Sequence, residues 1–216
     1  MKIALIGATG FVGANLLKEA LQRGHEVTAI VRDPSKLTVT DQHLNIVKGD
    51  VNNVDDLAGL LKGHDLVLSA YNAGWTNPNL YADFLAGCKD IEAATVKSGV
   101  KRLIVIGGAG SLYINGAQLV DGPHFPEAFK PGATAARDYL NILKNNQELD
   151  WTFFSPAIEM HQGITTGRTG KYRLGTDEPV FDAHGKSILS GEDLAVAVID
   201  EVENKQFLKK RFTAAY

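Results

Sequence analysis

Cysteine is almost missing from this chain: Cys88 is the only one among 216 residues. No internal disulfide can form, so a reducing compartment, the cytoplasm, is the expectation. Cys88 falls among Leu80, Phe84, Ile91 and Ala94 at helical spacing, which predicts a buried core thiol. Apolar runs are short, and none approaches the ~18 residues of a membrane span. Strand-like sequence begins at Lys2, so no signal peptide is expected. Charge of one sign is lacking as well: 22 basic against 25 acidic residues leave a formal net charge of −3. That balance offers no bulk attraction to nucleic acid or to anionic membranes, and aromatic and basic residues nowhere interleave as in single-strand-binding platforms. The histidines (His25, His43, His64, His124, His161 and His184) are scattered, with no H-E-x-x-H and no cysteine pair, so no metal site is expected. No G-K-[ST] follows a glycine loop, which disfavours ATP hydrolysis. Around Ser111, Ala109 and Tyr113 stand where a G-x-S-x-G nucleophile elbow needs glycines.

What is present is a glycine turn in a telling place. Lys2-Ile3-Ala4-Leu5-Ile6 reads as a strand, Gly7-Ala8-Thr9-Gly10-Phe11-Val12-Gly13 as a turn, and Ala14, Leu17, Ala20 and Leu21 as a helix face. Strand, glycine turn and helix make half of a βαβ nucleotide-binding unit. Gly7 permits the tight turn, Gly10 clears the backbone for a pyrophosphate, and Gly13 allows close packing of helix on strand. The helix N-terminus offers N–H groups and a positive dipole end to phosphates. The spacing is G-x-x-G-x-x-G, one residue longer in its first gap than the familiar form.

The remainder alternates strand and helix. Strands are expected at Glu26–Val31, Leu44–Val47, Asp65–Ala70, Lys101–Ile106, Trp151–Phe154 and Arg211–Ala214. Helices are expected from Asp33-Pro34, over Asn53–Lys62, Asn79–Ser98 and Pro131–Gln147, and from Gly191 onward. With 44% hydrophobic and 22% charged residues, this describes one soluble α/β domain over 1–216, a Rossmann-like doubly wound parallel sheet with helices on both faces. The segments 107–130 and 160–185 resist regular assignment and follow strand ends, where such sheets bind ligands. They are the candidate substrate walls.

An acidic residue at the end of the second strand usually reads the ribose hydroxyl of NAD. Here Ile30-Val31-Arg32 ends that strand, and Arg32 suits a ribose phosphate instead. Thr9 and Lys36 would supplement it, while Asp33 serves better as a helix cap. NADPH is the expected cofactor, with NAD possible.

These residues resemble the atypical, NmrA-like and flavin-reductase branch of the short-chain dehydrogenase/reductase superfamily. The likeness is greatest to bacterial NADH-flavin reductases related to the biliverdin-IXβ/flavin reductases, and it covers nearly the whole chain. Besides the glycine turn it rests on Val31-Arg32-Asp33-Pro34, Gly49-Asp50-Val51, Ser69-Ala70-Tyr71-Asn72 and Gly107-Gly108-Ala109-Gly110-Ser111. Further along it rests on Asp150-Trp151-Thr152-Phe153, Ser155-Pro156-Ala157 and Arg211-Phe212-Thr213. The resemblance implies that Asp50 and Val51 lie near the adenine, and that Ala70 and Tyr71 line the ribose-nicotinamide path. It also implies that Gly107 and Gly108 border the nicotinamide, and that Pro156 and Ala157 meet its carboxamide side.

The chain departs from the superfamily in its proton donor. No tyrosine fits Tyr-x-x-x-Lys: Tyr139 is followed four residues on by Leu143, with Lys144 one step too far. Ketone reduction would forgo a proton transfer worth about 10²–10⁴-fold. A flavin or quinone delocalises the arriving charge and asks mainly for ring alignment. The expected function is therefore reduction of FMN, riboflavin, a quinone or a similar planar acceptor. A non-enzymatic NADP-binding sensor is the alternative, and a carbonyl or sugar-nucleotide enzyme a weaker third. Catalytic candidates are Ser111 (to hydrogen-bond the acceptor), Tyr71 (to stack on it, as Trp75 also would), His124 (a proton source on a lid with Phe125) and Lys130. Each also has a plain structural reading: a satisfied loop hydroxyl, ordinary packing, or a solvated side chain. The protein is expected to act as a monomer or a homodimer.

Overall fold

The computed structural model describes all residues from Met1 to Tyr216. In chain order the elements are β1 (Lys2–Ile6), α1 (Phe11–Gln22), β2 (Glu26–Val31), β3 (Leu44–Lys48), α2 (Val54–Leu61), β4 (Leu66–Ser69) and α3 (Leu80–Ser98). There follow β5 (Arg102–Ile106), a hairpin of β6 (Tyr113–Ile114) and β7 (Ala117–Gln118), α4 (Lys130–Leu143), β8 (Asp150–Phe154), β9 (Arg173–Gly175), α5 (Gly191–Asn204) and β10 (Lys210–Ala215). Eight strands form one sheet in the order β3-β2-β1-β4-β5-β8-β10-β9. All neighbours run parallel except β9, which joins β10 antiparallel at one edge. Near-continuous apolar runs such as Ile3–Ile6 and Leu103–Ile106 suit strands covered on both faces. One core of 26 buried residues lies under α1 and α5, and another of 24 under α2, α3 and α4, so neither face is left to solvent. This is the doubly wound fold expected.

The helix expected after Asp33-Pro34 stops after a single 3-10 turn, Pro34–Lys36. The cap itself forms: the Asp33 carboxylate accepts from the Ser35 N–H at 3.1 Å and its hydroxyl at 2.7 Å. Beyond it, Thr38-Val39-Thr40 brings β-branched residues and no apolar face to bury, so nothing extends the turn. Asn53 caps α2 by accepting from Asp56 N–H at 3.2 Å, and Ser190 caps α5 by accepting from Asp193 N–H at 3.0 Å.

The segment 160–185 is fastened down. Asp193, fully buried, accepts from the Thr169 and Gly170 N–H groups at 2.9 and 2.8 Å and from the Thr169 hydroxyl at 2.6 Å. Arg168 grips Glu19 of α1 through two bonds of 2.8 and 2.9 Å, and Arg23 adds a third at 2.8 Å. The Arg168 bond, with Arg23 beside it, holds the buried Glu19 carboxyl below its ordinary 4.5. A carboxyl whose folded pKa lies below its unfolded one stabilises the fold above the unfolded value, and that contribution is lost as pH falls through the folded pKa. Urea melts at about pH 7 and about pH 4 should therefore show the wild type losing more stability on acidification than Glu19→Gln. Equal losses would contradict this role.

Candidate functional site

Strand register brings the predicted residues to one edge. Ile6 pairs with Ile30 on one side and Ser69 on the other, Ser69 with Val105, and Ile106 with Phe154. The carboxyl ends of these strands therefore release Gly7–Gly13, Arg32, Ala70–Tyr71, Gly107–Gly108 and Ser155–Ala157 side by side, and β3 releases Gly49–Val51 next to them.

The three glycines of the first turn differ. Gly7 has φ +86°, and a Cβ there would lie 2.4 Å from the Ala70 carbonyl oxygen. A Cβ on Gly13 would lie 2.0 Å from the Gly7 carbonyl oxygen. The fold demands both. Gly10 has an ordinary extended backbone, φ −84° and ψ 167°, and a Cβ would meet only the Gly7 carbonyl oxygen, at 3.5 Å. Packing gives no reason for this glycine. Above it, the Phe11, Val12 and Gly13 N–H groups have no acceptor within the protein, and the first turn of α1 carries no acidic residue. An unneutralised helix N-terminus with clear backbone access is an anion cradle. Thr9 is exposed beside it.

Next to the glycine turn, at the β2–β3 end of the row, Arg32 and Lys48 line an open cleft of about 700 Å³ with Gly49, Asp50 and Asn53. Both cations are exposed. Lys48 pairs in register with Val31, directly before Arg32, and neither cation joins an ion pair. The Asp33 carboxylate, which would oppose a phosphate here, is turned into its own cap. Ser35 holds its pKa down, helped by Lys36 and Lys48. A Cβ on Gly49 would strike Ile30 and Leu60, at 2.6 and 2.9 Å, so Gly49 forms the cleft floor. Asp50 accepts from Asn52 N–H at 3.0 Å, and Val51 is buried beneath. Lys48 escapes a sequence reading because only its cross-strand neighbour gives it a role.

The remaining candidates lie on the other side of the glycine turn, along the ends of β4, β5 and β8. Tyr71 stacks on Phe84 at 6.1 Å and presses on Gly87, while its hydroxyl donates to the Asp83 carbonyl at 3.2 Å; burial raises its pKa. A Cβ on Gly107 would fall 1.9 Å from the Phe153 ring, and one on Gly108 would lie 3.6 Å from Ala136 Cβ. Ser111 is fully buried, its hydroxyl bonded to the Gly108 carbonyl and to Ser155 Oγ, both at 3.0 Å. It therefore braces the Gly107–Gly110 turn against Ser155-Pro156-Ala157. His124 is exposed, as is Lys130, which pairs with Glu127 at 3.2 Å. No hydrogen bond joins either to Ser111 or Tyr71. Tyr139 points elsewhere, its buried hydroxyl donating to Glu92 at 3.1 Å.

Arg211, buried in β10, has a bridging role that its place in a sequence motif does not reveal. Its guanidinium donates to the Ser111 carbonyl at 2.5 Å and to the Asp177 carboxylate, tying segment 107–130 to segment 160–185. Tyr113 N–H reinforces the link by donating to the Asp177 carbonyl at 2.8 Å. No cluster of metal-ligating side chains occurs, and no helix is long and apolar enough to cross a membrane.

A family model described as NAD(P)H-binding matches residues 7–205. The chain is 38% identical over 216 residues to the uncharacterized protein YwnB of Bacillus subtilis, covering 99% of this chain and 97% of that one. A candidate epimerase from Bacteroides thetaiotaomicron superposes with a TM-score of 0.91 at 45% identity, covering 100% of this chain and 96% of its own. A candidate NADH-flavin reductase from Streptococcus pneumoniae does so with a TM-score of 0.86 at 35% identity, covering 100% and 99%.

Proposed function

The chain belongs to the NAD(P)H-binding family, and from that premise we propose that it is a reductase passing hydride from NADPH to a flavin, quinone or similar planar acceptor. The observation that carries the acceptor class is the wall facing Gly108 and Gly110. There α4 packs only the buried methyl groups of Ala133 and Ala136 on the glycines, which donate no proton, and the nearby Ser111 hydroxyl is engaged by the Gly108 carbonyl and Ser155. A ketone oxygen needs a proton as hydride arrives; a fused ring system spreads the charge and takes its proton from water. The balance is NADPH plus acceptor plus one proton to NADP and the dihydro-acceptor.

In this reading the Phe11, Val12 and Gly13 N–H groups hold the pyrophosphate over Gly7 and Gly10, with Thr9 alongside. Arg32 and Lys48, with Lys36, hold the ribose phosphate. Asp50 and Val51 border the adenine, and Ala70, Tyr71, Gly107, Gly108, Pro156 and Ala157 the ribose and nicotinamide. Bound NADPH supplies the hydride. His124 and Lys130, both exposed, are the side chains on segment 107–130 that would relay a proton from water, and segments 107–130 and 160–185 form the acceptor walls. Cytoplasmic location belongs to the same reading, supported by the single buried thiol.

Steady-state oxidation of NADPH with FMN or menadione tests it. Saturable turnover supports the reading; tight NADPH binding without turnover on either acceptor overturns it in favour of a sensor. Alongside, Arg32→Ser should weaken NADPH binding by about tenfold or more while leaving NADH binding nearly unchanged, as loss of a bidentate phosphate contact implies. Wild-type protein that binds NADH as tightly as NADPH would refute the cofactor preference.

A further inference from the structure

Two large rings stand in solvent beside the start of α4: Trp75 is 59% exposed and Phe129 54%. Their centroids lie 5.7 Å apart with planes at 85°, an edge-to-face pair. The indole is seated on the helix. A Cβ on Gly132, in the first turn of α4, would lie 2.9 Å from Trp75 Cζ3 and 3.2 Å from Leu80 Cδ2. Glycine is unfavourable inside a helix, and Gly132 has no positive φ to require it. What the position provides is room for the ring.

The helix connects this pair to the site. Gly132 and Ala136 are one turn apart on the same face, about 6 Å along the axis, and Ala136 is the side chain facing Gly108. The rings thus continue the wall of Gly132, Ala133 and Ala136 outward past Gly108. We infer that Trp75, paired with Phe129, is the stacking platform that selects a flat, fused-ring acceptor such as an isoalloxazine. The inference rests on the reductase reading and deepens it by naming the specificity-determining residue. An indole face held in place takes a planar ring by offset stacking and gains little from a small aliphatic carbonyl.

Lumiflavin, which carries the ring system without a phosphate, is the probe. The wild type, saturated with NADP, is expected to bind it and quench its fluorescence. Trp75→Leu should bind about tenfold more weakly, and Trp75→Phe within about threefold of wild type, because a ring face is kept. All three should bind NADPH alike, which shows that they fold. Equal lumiflavin affinity in wild type and Trp75→Leu overturns the platform and leaves the reductase reading standing. A wild type that neither binds lumiflavin nor turns over FMN or menadione overturns both. Conversion of a dimer to a monomer by Trp75→Leu, seen by sedimentation, would reassign the rings to self-association and overturn the inference as well.

Discussion

Gly10→Trp is expected to fold like the wild type and to lose at least about a hundredfold in NADPH affinity. The backbone at this position, φ −84° and ψ 167°, is open to any residue, and a Cβ there meets nothing closer than 3.5 Å. The new indole would occupy the approach to the Phe11 and Val12 N–H groups. Losing two hydrogen bonds to a charged phosphate, each worth about 1.5–3 kcal/mol, gives that factor at least. Gly13→Ala is the informative contrast. Its methyl would sit 2.0 Å from the Gly7 carbonyl oxygen, so it should lower the melting temperature before it changes binding. Thermal melts and a fluorescence titration of NADPH read both effects. If Gly10→Trp bound NADPH normally, the phosphates would lie elsewhere.

The largest effect on stability is expected from Glu201→Leu, at the opposite end of the sheet. Glu201 and Arg102 are 2% and 7% exposed and meet at 2.6 Å. The same carboxylate accepts from the Gln206 and Phe207 N–H groups at 2.8 and 3.0 Å. Arg102 is otherwise held by the Asp150 carbonyl and the Thr152 hydroxyl, both at 2.7 Å, and burial already works against its charge. Removing one member of a buried pair strands the other and typically costs about 3–5 kcal/mol. Urea denaturation should show that loss, while folded Glu201→Leu keeps wild-type NADPH affinity, because the pair lies at the amino end of β5, away from Gly10. A cost below about 1 kcal/mol would mean that water reaches Arg102 and the pair is not a keystone.

The glycine turn is legible in sequence because backbone chemistry dictates it. Gly7 needs a positive φ and Gly13 a missing Cβ, and both demands fall within a strand–turn–helix that local pattern reveals. The central strands β1, β4 and β5 are legible for a similar reason, since burial on both faces leaves polar residues only at their ends. The helix after Pro34 misleads because a cap is a local signal, whereas helix length depends on an apolar face that Thr38-Val39-Thr40 does not supply. The roles of Lys48 and Arg211 leave no local trace. One depends on a cross-strand neighbour, the other on two loops converging from distant parts of the chain. Ser111 reads equally well as a site hydroxyl or a loop brace, and its full burial and bond to Gly108 make the brace visible. Gly132 is the subtlest: a glycine in a helix reads as a weakness until the indole lying on it is seen.

The decisive measurement is a crystal structure of the protein with NADP bound. The pyrophosphate is expected at hydrogen-bond distance, about 3 Å, from the Phe11 and Val12 N–H groups. The ribose phosphate is expected between Arg32 and Lys48, and the nicotinamide beside Gly108. A cofactor bound away from the carboxyl edge, or one whose ribose phosphate faces solvent with Arg32 and Lys48 unengaged, would contradict this placement.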